Sequence, residues 1–155
     1  MPSFQTRRRV AHSAAQMFDL VADVERYPQF VPMCTGLRVR SRGVDARGNA
    51  VLTAAMDVGY KAIRETFASK VTLDRVKMQI EVEYLDGPFR HGHNTWSFAD
   101  LEGGAASRVD FSIQYEFRSR MLGLLMGSMF DTAFRKFAQA FEAQADAVYG
   151  RGGGA

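Results

Sequence analysis

At 155 residues the chain fits one domain, and a domain of that size buries about 70% of the surface its unfolded form exposes, enough for a core without staples. A hydrophobic fraction of 46% against a charged fraction of 24% excludes a disordered chain, and the one cysteine, Cys34, excludes an internal disulfide. The net charge of +3 is small and scattered beyond Arg7, Arg8 and Arg9, so it reads as a solvated basic surface and no DNA partner is expected.

The opening MPSFQTRRRV lacks the apolar stretch of a secretory signal, which points to a reducing, cytoplasmic interior. A first strand is expected over residues 4–11. Ser13 is suited to cap a helix over 14–22, where Met17, Leu20 and Val21 fall on one side, and a short second turn then runs into Tyr27 and Pro28. Strands follow at 37–41, 50–58 and 63–73, separated by turn-rich segments. Val76, Met78, Ile80, Val82 and Tyr84 alternate with Lys77, Gln79, Glu81 and Glu83, the period of a strand with one wet face. After a strand at 89–98, Val109, Phe111, Ile113, Tyr115 and Phe117 repeat the alternation without fault.

From Leu122 to Val148 apolar residues recur at three and four, the spacing of a long amphipathic helix. Its opening MLGLLMGSMF is broken by Gly123, Gly127 and Ser128 and is far short of the roughly 20 residues that span a bilayer. A one-sided sheet must cover its apolar face, and only this helix is long enough to do so. The fold class expected is therefore α+β with a helix-grip arrangement: a curved antiparallel sheet of about seven strands wrapped around the C-terminal helix, with two short helices after the first strand. Residues 1–149 form one ligand-binding domain on this reading, and the Gly-rich 150–155 a flexible tail.

Two segments carry a family resemblance. VADVERYPQFVPMCTG, residues 21–36, and GPFRHGHNTWSF, residues 87–98, resemble the signature stretches of the START-like coenzyme Q-binding family, part of the wider group of polyketide cyclases and lipid-transport domains. The resemblance implies a cavity between helix and sheet that holds ubiquinone as bound ligand rather than catalytic cofactor, in a carrier or chaperone supporting respiration. The family's ribosome association toxin branch implies a ribosomal subunit as alternative partner, and fold kinship alone does not choose between them.

The alternation directs Phe67, Met78, Trp96, Phe111 and Tyr115 inward from the sheet to face Met126, Phe130 and Phe134 of the helix, an apolar lining suited to a small molecule. Tyr27 of the signature joins them, and Phe30, Val31 and Pro32 are expected to oppose Leu122 and Met126 across a pliable, methionine-rich mouth. Transient contact with a membrane surface, peripheral to the inner membrane, follows from such a mouth. Glu65 shares parity with Phe67, which would aim a carboxylate inward, toward a polar headgroup or as the general acid of a cyclase-like enzyme. His91 and His93 fall on the opposite face from Trp96 and lack a third metal ligand, so no metal site is expected. No catalytic constellation is visible, and a binding protein is expected rather than an enzyme. Arg7, Arg9, Arg38, Arg40 and Arg42 on outward strand faces are the residues a ribosome-associated inhibitor would turn to rRNA phosphates.

Overall fold

The computed structural model describes residues 3–150, so the rest of the expected tail, 151–155, lies outside the described residues. In chain order the elements are β1 (Ser3–Val10), α1 (Ala14–Ala22), a 3₁₀ turn (Val24–Gln29), β2 (Cys34–Val44), β3 (Ala50–Tyr60), β4 (Ile63–Asp74), β5 (Gln79–Asp86), β6 (Phe89–Leu101), a short turn (Glu102–Gly104), β7 (Ala106–Phe117) and α2 (Arg120–Tyr149). The strands form one antiparallel sheet in the order β1-β7-β6-β5-β4-β3-β2, a meander from β2 to β7 with the first strand added beside the last. Register shifts in β2, between Ala68 and Ser69 of β4 and between Phe89 and His91 of β6 let the sheet bend. The helix-grip architecture expected from the sequence is the one observed.

The local reasons are legible in the chain. Ser13 caps α1 through a reciprocal box: its Oγ accepts from the Gln16 amide at 3.1 Å while its own amide donates to Gln16 Oε1 at 3.0 Å. The helix buries Met17, Phe18, Leu20 and Val21, and Phe18 meets Phe98 edge-on at 5.7 Å with the Arg75 guanidinium over its ring. α2 is capped by Ser119, whose side chain accepts from the Leu122 amide.

One expected element starts later than its pattern. The alternation from Val76 breaks because Met78 adopts a left-handed φ of 53° at the end of a turn in which Asp74 accepts from the Lys77 amide. Val76 is consequently 94% exposed, and β5 begins only at Gln79. Ile80, Val82 and Tyr84 beyond it face inward as the period requires.

α2 lies closest to β1, β7 and α1, and its ring contact with β4 is that of Phe130 with Phe67 at 5.9 Å. Among the described residues, its side-chain hydrogen bonds to other elements are gathered at its C-terminal half. Arg8 reaches Glu142 at 2.7 Å, His12 Nε2 meets Asp146 at 2.7 Å, and the Tyr149 hydroxyl donates to the Gln16 carbonyl at 3.2 Å.

Gly92 marks the tightest inward packing on β6, since a Cβ there would sit 2.7 Å from Tyr84 Cδ2 and 2.9 Å from Phe89 Cδ2. Gly92→Ala is therefore expected to destabilise the fold by about 1–3 kcal/mol in urea titration, the usual effect of overpacking, whereas Gly43→Ala, with nothing near its added methyl, changes little.

Candidate functional site

Where α2 meets the sheet the packing is uneven. On the β1, β7 and β6 side, rings meet rings: Phe4 stacks on Phe134 at 5.4 Å, Tyr115 meets Phe130 at 5.6 Å, Phe117 meets Phe130 at 5.5 Å and Trp96 meets Phe141 at 5.1 Å. On the β3–β5 side α2 keeps one ring contact, Phe67 against Phe130 at 5.9 Å, and the other inward residues include the smaller Ala54, Ser69, Val71 and Val82, which border open space. The result is an internal cavity of about 100 Å³. Val21 and Val24 close one wall, and Met129, Ala133 and Phe137 of α2 form its roof.

The lining is almost wholly apolar and carries no charge: among the described residues that line it there is no Asp, Glu, Lys, Arg or His. Its polar groups are those of Tyr27, Cys34, Ser69, Tyr84 and Asn94 and the indole N–H of Trp96. The Tyr27 hydroxyl donates to the Val21 carbonyl, and burial pushes its pKa well above the ordinary tyrosine value, with the neighbouring Tyr84 phenol adding to the effect. Burial likewise pushes Tyr84 up to about 12 and Cys34 up to about 11, the Cys34 thiol donating to the Gly36 carbonyl at 3.6 Å. At neutral pH all three stay protonated and uncharged.

Of the residues expected at the site, Tyr27, Val31, Pro32, Phe67, Trp96, Phe111, Phe130 and Phe134 line the cavity. Six do not. Phe30 turns aside, wedged edge-on between Tyr27 and Phe141 at 6.0 and 5.1 Å. That contact also removes the expected mouth, because Phe141 lies about 22 Å along α2 from Met126, the residue Phe30 was to oppose. Met126 and Tyr115 are buried in the packed side, Tyr115 against Phe89, Phe130 and Phe134, and Leu122 lies half-buried a turn from the helix start. Met78 is held away by its turn. Glu65 keeps its inward parity and is half-buried, yet it is not among the lining residues.

Among the lining residues not expected at the site are three polar groups at inward positions of three adjacent strands, Ser69, Tyr84 and Asn94. Parity had already put Tyr84 on the inward face with Ile80 and Val82, and it would have found the other two, since Ser69 shares a face with Phe67 and Val71, and Asn94 with Trp96 and Phe98. His91 and His93 are both exposed, on the face away from the cavity.

The outward arginines are mostly neutralised. Arg7 pairs with Asp110, Arg9 with Glu102, Arg38 with Asp57 and Arg42 with Glu25, leaving Arg40 without a carboxylate among the described residues. β1 and β2 are opposite edges of the sheet, and seven strands spaced by ~4.8 Å place them about 29 Å apart along its surface. The five arginines therefore do not form one patch.

Residues 10–142 match the family described as polyketide cyclase / dehydrase and lipid transport. The chain belongs to this family. Among its relatives is the ribosome association toxin RatA of Escherichia coli K12, 35% identical over 96% of this chain and 90% of that protein. The mitochondrial coenzyme Q-binding protein COQ10 homolog B of Xenopus laevis is 32% identical over 90% of this chain, which spans only 56% of that protein. The solution structure of the 18 kDa protein CC1736 from Caulobacter crescentus superposes with a TM-score of 0.77 at 35% identity, covering 97% of this chain and 99% of that one. The expected resemblance thus holds over nearly the whole chain, and it spans both branches of the family.

The uncharged lining has a consequence for stability in alkali. An unfolded cysteine loses its proton from roughly pH 8.5 and a tyrosine from roughly pH 10. The folded chain holds those of Cys34 and Tyr84 up to about 11 and about 12. Across that interval the native state binds more protons than the unfolded one, so stability falls as pH rises. The urea midpoint is expected to be level from about pH 6 to 7.5 and to drop by about pH 10.5, with Cys34→Ala removing the earlier part of the drop and Tyr27→Phe and Tyr84→Phe each a share of the later.

Proposed function

We propose that the chain binds a neutral hydrophobic molecule in this cavity, with an isoprenoid quinone such as ubiquinone as the class that fits best, and acts as a carrier or chaperone supporting respiratory electron transport. The observation that carries the reading is the uncharged lining. A fatty acid or phospholipid headgroup would bring a charge into an apolar enclosure that offers no counter-ion, at a cost of several kcal/mol. A quinone and its fully reduced form are neutral, with oxygens that need only a few hydrogen-bonding groups. The kinship with a protein named for coenzyme Q binding supports the same class.

At about 100 Å³ the cavity is smaller than ordinary ligand sites of roughly 300–1,000 Å³, so a ligand must displace part of the lining. Met33, Met56 and Met129 lie in that lining, and unbranched methionines repack at little cost. Transient contact with a membrane, the source of such a ligand, fits the start of α2, where Met121, Leu124 and Leu125 are 65%, 77% and 58% exposed. A cyclase-like activity would draw its proton from Glu65 or a pocket tyrosine; Glu65 does not line the cavity, and burial makes Tyr27 and Tyr84 weaker acids than an ordinary tyrosine.

Organic extraction of the purified protein followed by mass analysis should yield a neutral lipophile from the wild type. Ala54→Phe, which fills the void from β3, should lose it while keeping a cooperative melt. A wild-type protein that yields none, and whose single tryptophan, Trp96, shows no response to added short-tailed ubiquinone, overturns the reading.

A second reading, association with a ribosomal subunit, is supported by the 35% identity to RatA. Since most of the outward arginines already hold carboxylates, such binding would fall to unpaired cations such as Arg40. Co-sedimentation with ribosomal subunits is then expected at 50 mM salt, to weaken steeply by 200 mM, and to drop further in Arg40→Glu. Co-sedimentation that ignores both salt and Arg40 counts against a phosphate-directed contact.

A further inference from the structure

Resting on the reading that the cavity takes a neutral hydrophobic ligand, we infer that Asn94 selects a headgroup that donates a hydrogen bond, so that a phenol or hydroquinone binds in preference to the corresponding quinone. Asn94 occupies an inward position in the middle of β6, opposite Val82 of β5 and Ile113 of β7, and is 5% exposed. Its Nδ2 donates to the Ser112 carbonyl at 2.9 Å. A main-chain carbonyl only accepts, so this bond fixes which amide atom is the nitrogen and turns Oδ1 the other way.

Oδ1 has no donor within reach among the described residues. Nor is it sealed off, because among those residues the one fully enclosed side-chain polar atom without a partner is Ser107 Oγ. Oδ1 therefore borders open space. As Asn94 lines the cavity and is shielded almost entirely from outside, that space is the cavity itself.

A second group reinforces the demand. The Tyr27 hydroxyl donates its hydrogen bond to the Val21 carbonyl and presents only lone pairs to what lies beside it. Ser69 and Tyr84, opposite each other on β4 and β5, are hydroxyls that donate or accept as a ligand requires and impose no preference. The indole N–H of Trp96, a fixed donor in the same lining, suits an oxygen of either form and does not discriminate between them, so the demand that separates the two is the one made by the acceptors. A benzoquinone offers carbonyl and ether oxygens alone, all acceptors, and would strip Oδ1 of water while giving it nothing. Reduction by two electrons and two protons turns both carbonyls into hydroxyls, either of which satisfies Oδ1.

The test is calorimetric titration under argon with decyl-ubiquinone, decyl-ubiquinol and the dimethyl ether of the quinol, which matches its shape and cannot donate. The quinol is expected to bind about tenfold more tightly than the quinone, the ether no better than the quinone, and Asn94→Leu to bring quinol and quinone level. Equal binding of quinol and quinone to the wild type overturns the inference while leaving the carrier reading intact. An ether that matches the quinol, or a preference that survives Asn94→Leu, overturns it as well. Should Asn94→Leu fail to fold, the ether comparison in the wild type decides alone. If none of the three binds, the reading of the cavity falls, and this inference with it.

Discussion

The off-centre seat of α2 on the concave sheet is the constraint from which the rest of the structure follows. A single helix cannot contact every strand of a seven-stranded sheet, and this one is drawn to the side where β1, β6 and β7 present rings to Phe130, Phe134 and Phe141. Aromatic side chains bury large areas with few rotamers, so that side packs solid. The opposite side is left to α1 and the 3₁₀ turn, whose Val21, Val24 and Tyr27 close the gap without filling it. Were Ala54 or Ser69 as large as the rings across from them, there would be a core and no cavity.

The charges are sorted just as unevenly. Arginine and carboxylate pairs stud the outer face and edges, at Arg7–Asp110, Arg38–Asp57 and Arg90–Glu116, where each is exposed enough to add little to stability. None enters the cavity, whose titratable groups are two tyrosines and a thiol held neutral by burial. An enclosure of this kind discriminates against ions by the cost of desolvating them and distinguishes among neutral molecules through the direction of a few hydrogen bonds. Function on the first reading lives inside the sheet, and on the second it lives outside, so the two draw on different residues.

Much of this was legible from period alone. Faultless alternation in β7 fixed its inward face, and a capping serine, Ser13, fixed the start of α1. What failed were cases where a local backbone event overrode the period. Val76 and Met78 continue the alternation on paper, but a left-handed Met78 ends it in space. Tyr115 and Met126 were rightly placed inside, yet inside means packed on one half of the sheet and open on the other, and no residue's own pattern says on which half the helix will settle. Apolar residues drew attention as site candidates, while Asn94, the inward residue most at odds with its neighbours, carried the more specific signal.

The anchoring of α2 bears on how so narrow a cavity admits anything. All side-chain hydrogen bonds between this helix and other elements among the described residues lie at Glu142, Asp146 and Tyr149, in its last two or three turns. They tie it to β1 and α1, and directional bonds of this kind resist sliding. Among the described residues the first half of the helix meets the sheet through apolar and ring contacts, which are non-directional and lose little when a methionine slips past a ring. A helix pinned at one end and greased at the other widens the space beneath it most cheaply by lifting its free end, and that end is the one bearing Met121, Leu124 and Leu125.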